Sequence, residues 1–140
     1  MDLRHQRAIG VACLLMLFAC AHGTTCHFPR GGDPQTHASI TLIRNRNIFG
    51  SALSPKVVLD GWHIAWLRPG EYVEFFVSPG MHTVGVAEST VAIPFQAGAA
   101  YYFLISVDDN AALRWSGGFE VERLNESEGK ALAAGAKRVQ

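Results

Sequence analysis

Pairs of turn-forming residues recur at short intervals through this chain: Asp60-Gly61, Pro69-Gly70, Pro79-Gly80 and Ala97-Gly98. They separate short runs rich in Val, Ile, Phe, Tyr and Thr, residues that fit a pleated, half-buried surface better than a helix. A chain that must turn about every ten residues between such runs has an antiparallel β-domain as its natural solution. Asp-Gly favours a two-residue hairpin because both central positions of a type I′ turn need positive φ. Pro-Gly favours a type II turn, where proline presets the first central φ and glycine supplies the positive second one.

Eight strands are expected on this pattern. Ile40 to Ile43 opens the series, and Val57 to Leu59 is joined through Asp60-Gly61 to His63 to Leu67. Tyr72 to Val77 lies between the two Pro-Gly pairs, followed by His82 to Ala87, Thr90 to Phe95, Ala100 to Val107 and Phe119 to Leu124. Val73, Phe75 and Val77 alternate with Tyr72, Glu74 and Phe76, and His82, Val84 and Val86 alternate with Thr83, Gly85 and Ala87, so one face of each strand is a core face. Tyr101-Tyr102-Phe103-Leu104-Ile105 is apolar on both faces, as a covered central strand is. Asn125 followed by Glu128 predicts a helix start, and the helix is expected to run toward Arg138 and to dock through Leu132 and Val139. Gly129 and Gly135 weaken it by about 1 kcal/mol each relative to alanine. The same Asn125-Glu126-Ser127 triplet reads as a cap rather than a glycosylation site. The fold expected is a small antiparallel β-sandwich with a short C-terminal helix.

The N-terminal part follows different rules. Arg4 and Arg7 precede an apolar run from Ala8 to Ala19, the layout of a secretion signal over residues 1–19. As a helix this run is roughly 18 Å long, too short for a hydrocarbon core of about 30 Å. It closes on Leu17-Phe18-Ala19-Cys20, which resembles the bacterial lipobox, with Cys20 as the new, lipid-bearing N-terminus. Phe18 is larger than the residue usual at that place in the motif. An ordinary cleavage after Ala21 or Gly23 is the alternative. Residues 20–38 are rich in Gly, Pro, Thr and His and read as a tether, roughly 25 Å long on average and at most about 65 Å extended. The β-domain then covers residues 39–140. Cys13 leaves with the signal, so with Cys20 lipidated Cys26 has no partner, and without lipid a small Cys20–Cys26 loop becomes possible.

Composition excludes several functions. The 140 residues contain 12 basic and 12 acidic side chains. Removing Arg4, Arg7 and Asp2 with the signal leaves 10 and 11, with no clustered basic surface for nucleic acid. No nucleophile elbow, phosphate loop, zinc-protease helix or paired Cys-x-x-Cys occurs, and no cofactor is implied. His22, Cys26, His27 and His37 lie in the tether without the fixed spacing that a metal site needs. Glu120 and Glu122 share a strand face, but Glu126 and Glu128 nearby suggest a solvated edge rather than an acid/base pair. His82, alone after Pro79-Gly80, suits a ring that bonds backbone and holds the turn.

The segments Val57-Val58-Leu59-Asp60-Gly61, Leu67-Arg68-Pro69-Gly70-Glu71-Tyr72, Ser78-Pro79-Gly80-Met81-His82-Thr83-Val84 and Ala97-Gly98-Ala99-Ala100-Tyr101-Tyr102-Phe103 together resemble a bacterial lipoprotein domain of unknown function, the 2846 family, similar to PEGA domains. The resemblance covers roughly residues 39 to 135, and Glu128-Gly129-Lys130 matches that family's C-terminal helix. It implies a β-domain held at a membrane, and no catalytic residue carries over from it. Asn45 to Pro55, Trp62 and Trp66 stand outside the shared pattern.

Three functional classes are compatible with these features: a membrane-tethered, non-enzymatic module that binds an envelope protein, peptidoglycan or another surface polymer; an envelope enzyme with a site built from loops such as Asn45 to Pro55; and a freely secreted domain. The first is expected, with lipid at Cys20 and residence in the envelope, on the periplasmic face of the outer membrane. If a binding face is legible, it is Trp62, Ile64 and Trp66, which fall on one side of a regular strand. Burial of that face against the second sheet is the competing expectation.

Overall fold

A computed structural model describes Thr25 and residues 31–46, 53–87, 89–107 and 118–139. The signal segment, Cys20 and Cys26 lie outside the described residues, as does most of the long loop from Asn45 to Pro55. The strands are β1 (Ala38–Arg44), β2 (Lys56–Leu59), β3 (Trp62–Trp66), β4 (Glu71–Val77), β5 (Gly80–Val86), β6 (Ser89–Phe95), β7 (Ala100–Val107), β8 (Phe119–Leu124) and, after the helix α1 (Glu126–Ala134), β9 (Lys137–Arg138). One sheet has the order β8-β7-β1-β4-β9 and the other β3-β2-β5-β6.

Among the described residues the fold is all-β with one short helix. Alternation decides which side chains meet between the sheets. Ile40, Leu42, Val73, Phe75, Phe103 and Ile105 from the five-stranded sheet share one core with Val57, Ile64, Ala65, Val84, Val86 and Phe95 from the four-stranded one. At about 25 cal/mol per Å² of apolar surface removed from water, this interior is the main stabilising term.

The four-stranded sheet is antiparallel throughout. The five-stranded sheet is not. β1 runs parallel to β7 and β4 parallel to β9, beside the antiparallel pairs β1–β4 and β7–β8. Parallel neighbours need a crossover connection, and here the chain passes through the entire second sheet between β1 and β7. Turn motifs do not encode that insertion, which is why a purely antiparallel sandwich was the natural expectation.

The turns divide. At the β2–β3 hairpin Asp60 has φ 50° and Gly61 φ 80°, the two positive values that a type I′ turn requires. Arg68 O accepts from Glu71 N at 3.0 Å across Pro69-Gly70, and Gly70 has φ 77°, as in a type II turn. Pro79-Gly80 is different: Gly80 has φ 141° and, as the first residue of β5, already pairs with Phe95 of β6. It is a corner where the chain leaves the five-stranded sheet for the four-stranded one, not a reversal within a sheet.

β7 is covered on both faces, as its sequence requires. Tyr101, Phe103 and Ile105 face the core, while Tyr102 lies under α1. The Asn125 side chain caps that helix, accepting from Glu128 N at 3.0 Å and from the Ser127 hydroxyl at 2.8 Å. The helix ends at Ala134 rather than near Arg138, because Lys137–Arg138 turns back to pair with Glu71 and Tyr72. Its docking also differs from expectation. Leu132 is exposed, and contact is made through Gly129, where a Cβ would lie 2.1 Å from Tyr102 Cγ. Val139 is buried as expected.

The described part of the expected tether is ordered. Asp33 O accepts from Thr36 N and His37 N at 3.0 and 2.9 Å, and His37 O accepts from Gly98 N at 3.0 Å. This turn fastens residues 33–37 to the β6–β7 loop immediately before β1.

Candidate functional site

The β2–β3 hairpin carries the aromatic residues singled out by sequence, and its register decides what they can do. Val57 pairs with Ala65 but Val58 pairs with His63, so Ile64 is an extra residue on β3. A bulge of this kind resets the alternation of side chains. Ile64 and Ala65 are consequently both buried, at 1% and 0% exposure. Trp66 emerges opposite Lys56 and meets the His63 ring edge-on, with centroids 4.0 Å apart. The His63 Nε2 lies 3.0 Å from Ala65 O, bridging the bulge from the same strand.

Trp62, Ile64 and Trp66 therefore do not form the single face that a regular strand would give. Ile64 belongs to the core, Trp66 is half-buried on the side shared with His63, and Trp62, at the turn end of β3, is 69% exposed. Strand alternation identified the correct strand but could not register the inserted residue, because nothing in Trp62-His63-Ile64-Ala65-Trp66 marks a bulge by composition.

The hairpin is clamped from the neighbouring β5. His82 Nδ1 lies 2.6 Å from Asp60 Oδ2, and its Nε2 lies 3.0 Å from Ser78 O. Asp60 Oδ1 accepts from Thr83 N at 2.9 Å. The His82 ring stacks on Phe95 at 5.8 Å between centroids. Thus His82 holds the Pro79-Gly80 corner, as its position suggested, and ties that corner to the Asp60-Gly61 turn, which only the folded register reveals. Burial opposes ionisation of Asp60, but the His82 ring, the Thr83 N–H, the charge of His82 and the Thr83 hydroxyl outweigh it and hold the carboxyl below its ordinary range. With Nε2 facing a backbone carbonyl and Nδ1 facing a carboxylate, the imidazole has no ring atom left to act on a substrate.

Other polar groups serve the scaffold in a similar way. Glu71 is buried and its Oε2 accepts from Arg68 N at 2.8 Å across the Pro69-Gly70 turn. Arg44, at the end of β1, is 2% exposed and lies over the Phe119 ring at 4.7 Å. Burial pushes its guanidinium down to about 10, so it remains a cation at neutral pH. Sequence reading passed over Arg44 because a basic residue at a strand end ordinarily marks solvent. Glu120 and Glu122 are exposed on the edge strand β8, as expected. His37 is half-buried with Nδ1 2.9 Å from the Thr36 hydroxyl, while His22, Cys26 and His27 lie outside the described residues. Among the described residues no group of three His, Cys, Asp or Glu side chains is placed to hold a metal ion.

β3 is an edge strand, and its outer side is touched by the N-terminal segment: Thr25 forms an antiparallel bridge with Ala65. Nothing in the sequence around Thr25 predicted this contact.

No protein-family model, curated protein or solved structure matches this chain. The likeness of its turn motifs to the lipoprotein domain rests on the sequence.

Proposed function

We propose that this protein is a bacterial envelope lipoprotein, anchored through a lipid on Cys20, whose all-β domain is a non-enzymatic binding or structural module. The observation that carries this reading is the short apolar run closing on Leu17-Phe18-Ala19-Cys20 behind Arg4 and Arg7. The resemblance of the turn motifs to a PEGA-like lipoprotein domain supports it. The use made of the polar side chains is consistent with it: His82 and Glu71 bind backbone of a corner and a turn, and Asp60 binds His82 and the Thr83 N–H of β5. The partner is an envelope protein or polymer met by a domain that cannot leave the membrane surface, and the periplasmic face of the outer membrane is the proposed location.

Two or more acyl chains make attachment stable, each buried CH2 contributing about 0.8 kcal/mol. Replacing Cys20 by alanine therefore moves the protein from the membrane to the soluble fraction of a bacterial host. Fractionation unchanged by Cys20→Ala rejects the anchor. Pull-down of envelope components with the lipidated protein identifies the partner.

A further inference from the structure

The Thr25–Ala65 bridge changes how far the domain can stand from an anchor at Cys20. Measured to the start of β1 at Ala38, an extended tether allows roughly 60 Å. Measured to Thr25 it allows only about 17 Å. The bridge lies on the outer edge of β3, and Trp62, 69% exposed, is three residues along the same strand, roughly 10 Å from Ala65. That distance is shorter than the leash, so the ring reaches the bilayer surface without straining it.

We propose that the β3 edge is the membrane-proximal side of the domain and that Trp62 sits in the headgroup layer of the bilayer holding the Cys20 lipid. This rests on the reading of Cys20 as the lipidated residue. Tryptophan is enriched at membrane interfaces because its ring is largely apolar and its N–H is polar. The charges favour the same orientation. Across Lys56–Trp66 the one carboxylate is Asp60, which is paired with His82, while Lys56 is exposed. On β8, which packs near β6 at the opposite edge of the four-stranded sheet, the exposed Glu120 and Glu122 outnumber the exposed Arg123. An anionic leaflet attracts the first edge and repels the second.

The test uses the protein purified from bacterial membranes and reconstituted into phosphatidylethanolamine/phosphatidylglycerol vesicles containing brominated acyl chains, which quench tryptophan only on contact. All three tryptophans emit, so the comparison is made in a Trp115→Phe background: that protein shows lipid-quenchable emission, adding Trp62→Phe loses most of it, and adding Trp66→Phe keeps it. A long Gly-Ser insertion between Gly23 and Thr24 reduces it by slackening the leash. Equal quenching with and without Trp62→Phe overturns the proposal, as does emission of Trp62 alone, in the Trp66→Phe/Trp115→Phe protein, shielded from both brominated lipid and aqueous iodide, which means that a protein covers the ring. Intact mass of the same preparation separates the two levels. A lipidated Cys20 without Trp62 quenching rejects only the orientation, whereas an unmodified N-terminus rejects the anchor and the orientation with it.

Discussion

Gly129 sets two effects of opposite sign against each other. In an isolated helix, Gly129→Ala gains about 1 kcal/mol of intrinsic propensity. In this fold the added Cβ lies 2.1 Å from Tyr102 Cγ and 2.3 Å from Tyr102 Cβ. Ordinary carbon contacts are about 3.5–4.0 Å, so α1 must move outward from β7 by more than an ångström. Rotation of the Tyr102 ring brings no relief, because its Cβ is fixed to the strand. Overpacking of this kind costs about 1–3 kcal/mol, enough to exceed the propensity gain. An approach of 2.1 Å belongs in the upper half of that range, so Gly129→Ala lowers stability by about 1–2 kcal/mol net, and Gly129→Leu lowers it further. Gly135→Ala is the matched control. Gly135 has φ −90°, and its Cβ would meet only Leu132 O, at 3.7 Å. Its stability stays within about 0.5 kcal/mol of the parent. Urea denaturation of the parent and the three variants measures these differences, and a Gly129→Ala variant as stable as the parent refutes the close packing of α1 on Tyr102.

The bulge in β3 predicts a split among residues that strand alternation groups together: Ile64→Ala costs about 2–5 kcal/mol of stability, whereas the exposed Trp62→Ala stays within about 0.5 kcal/mol, a contrast read from denaturant midpoints. Gly61→Val costs over about 1 kcal/mol through backbone strain alone, since φ is 80° and nothing lies within 4 Å of the added Cβ, and an unchanged melting temperature contradicts the type I′ turn. Because the folded protein holds Asp60 below its ordinary carboxylate value, its contribution to stability is complete above that value and is lost as pH falls through the folded one. Asp60→Asn removes this contribution, so its melting temperature declines less steeply than the parent's between about pH 5 and pH 2.

Local signals carried most of the strands. Alternation in Val73-Glu74-Phe75-Phe76-Val77 and the positive-φ requirement at Asp60-Gly61 act within a few residues, and the fold keeps both. The pairing of β1 with β7 is a relation between distant segments, and neither carries a mark for the other. Gly129 was legible as a weak helix former but not as a contact, because its value depends on Tyr102 passing beneath it. The same limit applies to the candidate site. His82 announced itself as a turn-holding ring, yet its carboxylate partner, Asp60, comes from a different hairpin 22 residues away. Trp62 and Trp66 were correctly placed on one strand, and the inserted Ile64 sends them to different surroundings.

Intact mass spectrometry of the protein extracted from bacterial membranes reads the lipid on Cys20 directly. The expected species is a polypeptide beginning at Cys20 with its mass raised by at least two acyl chains, and Cys26→Ser leaves both the modification and the melting temperature unchanged. An unmodified polypeptide beginning after Ala21 or Gly23 contradicts it.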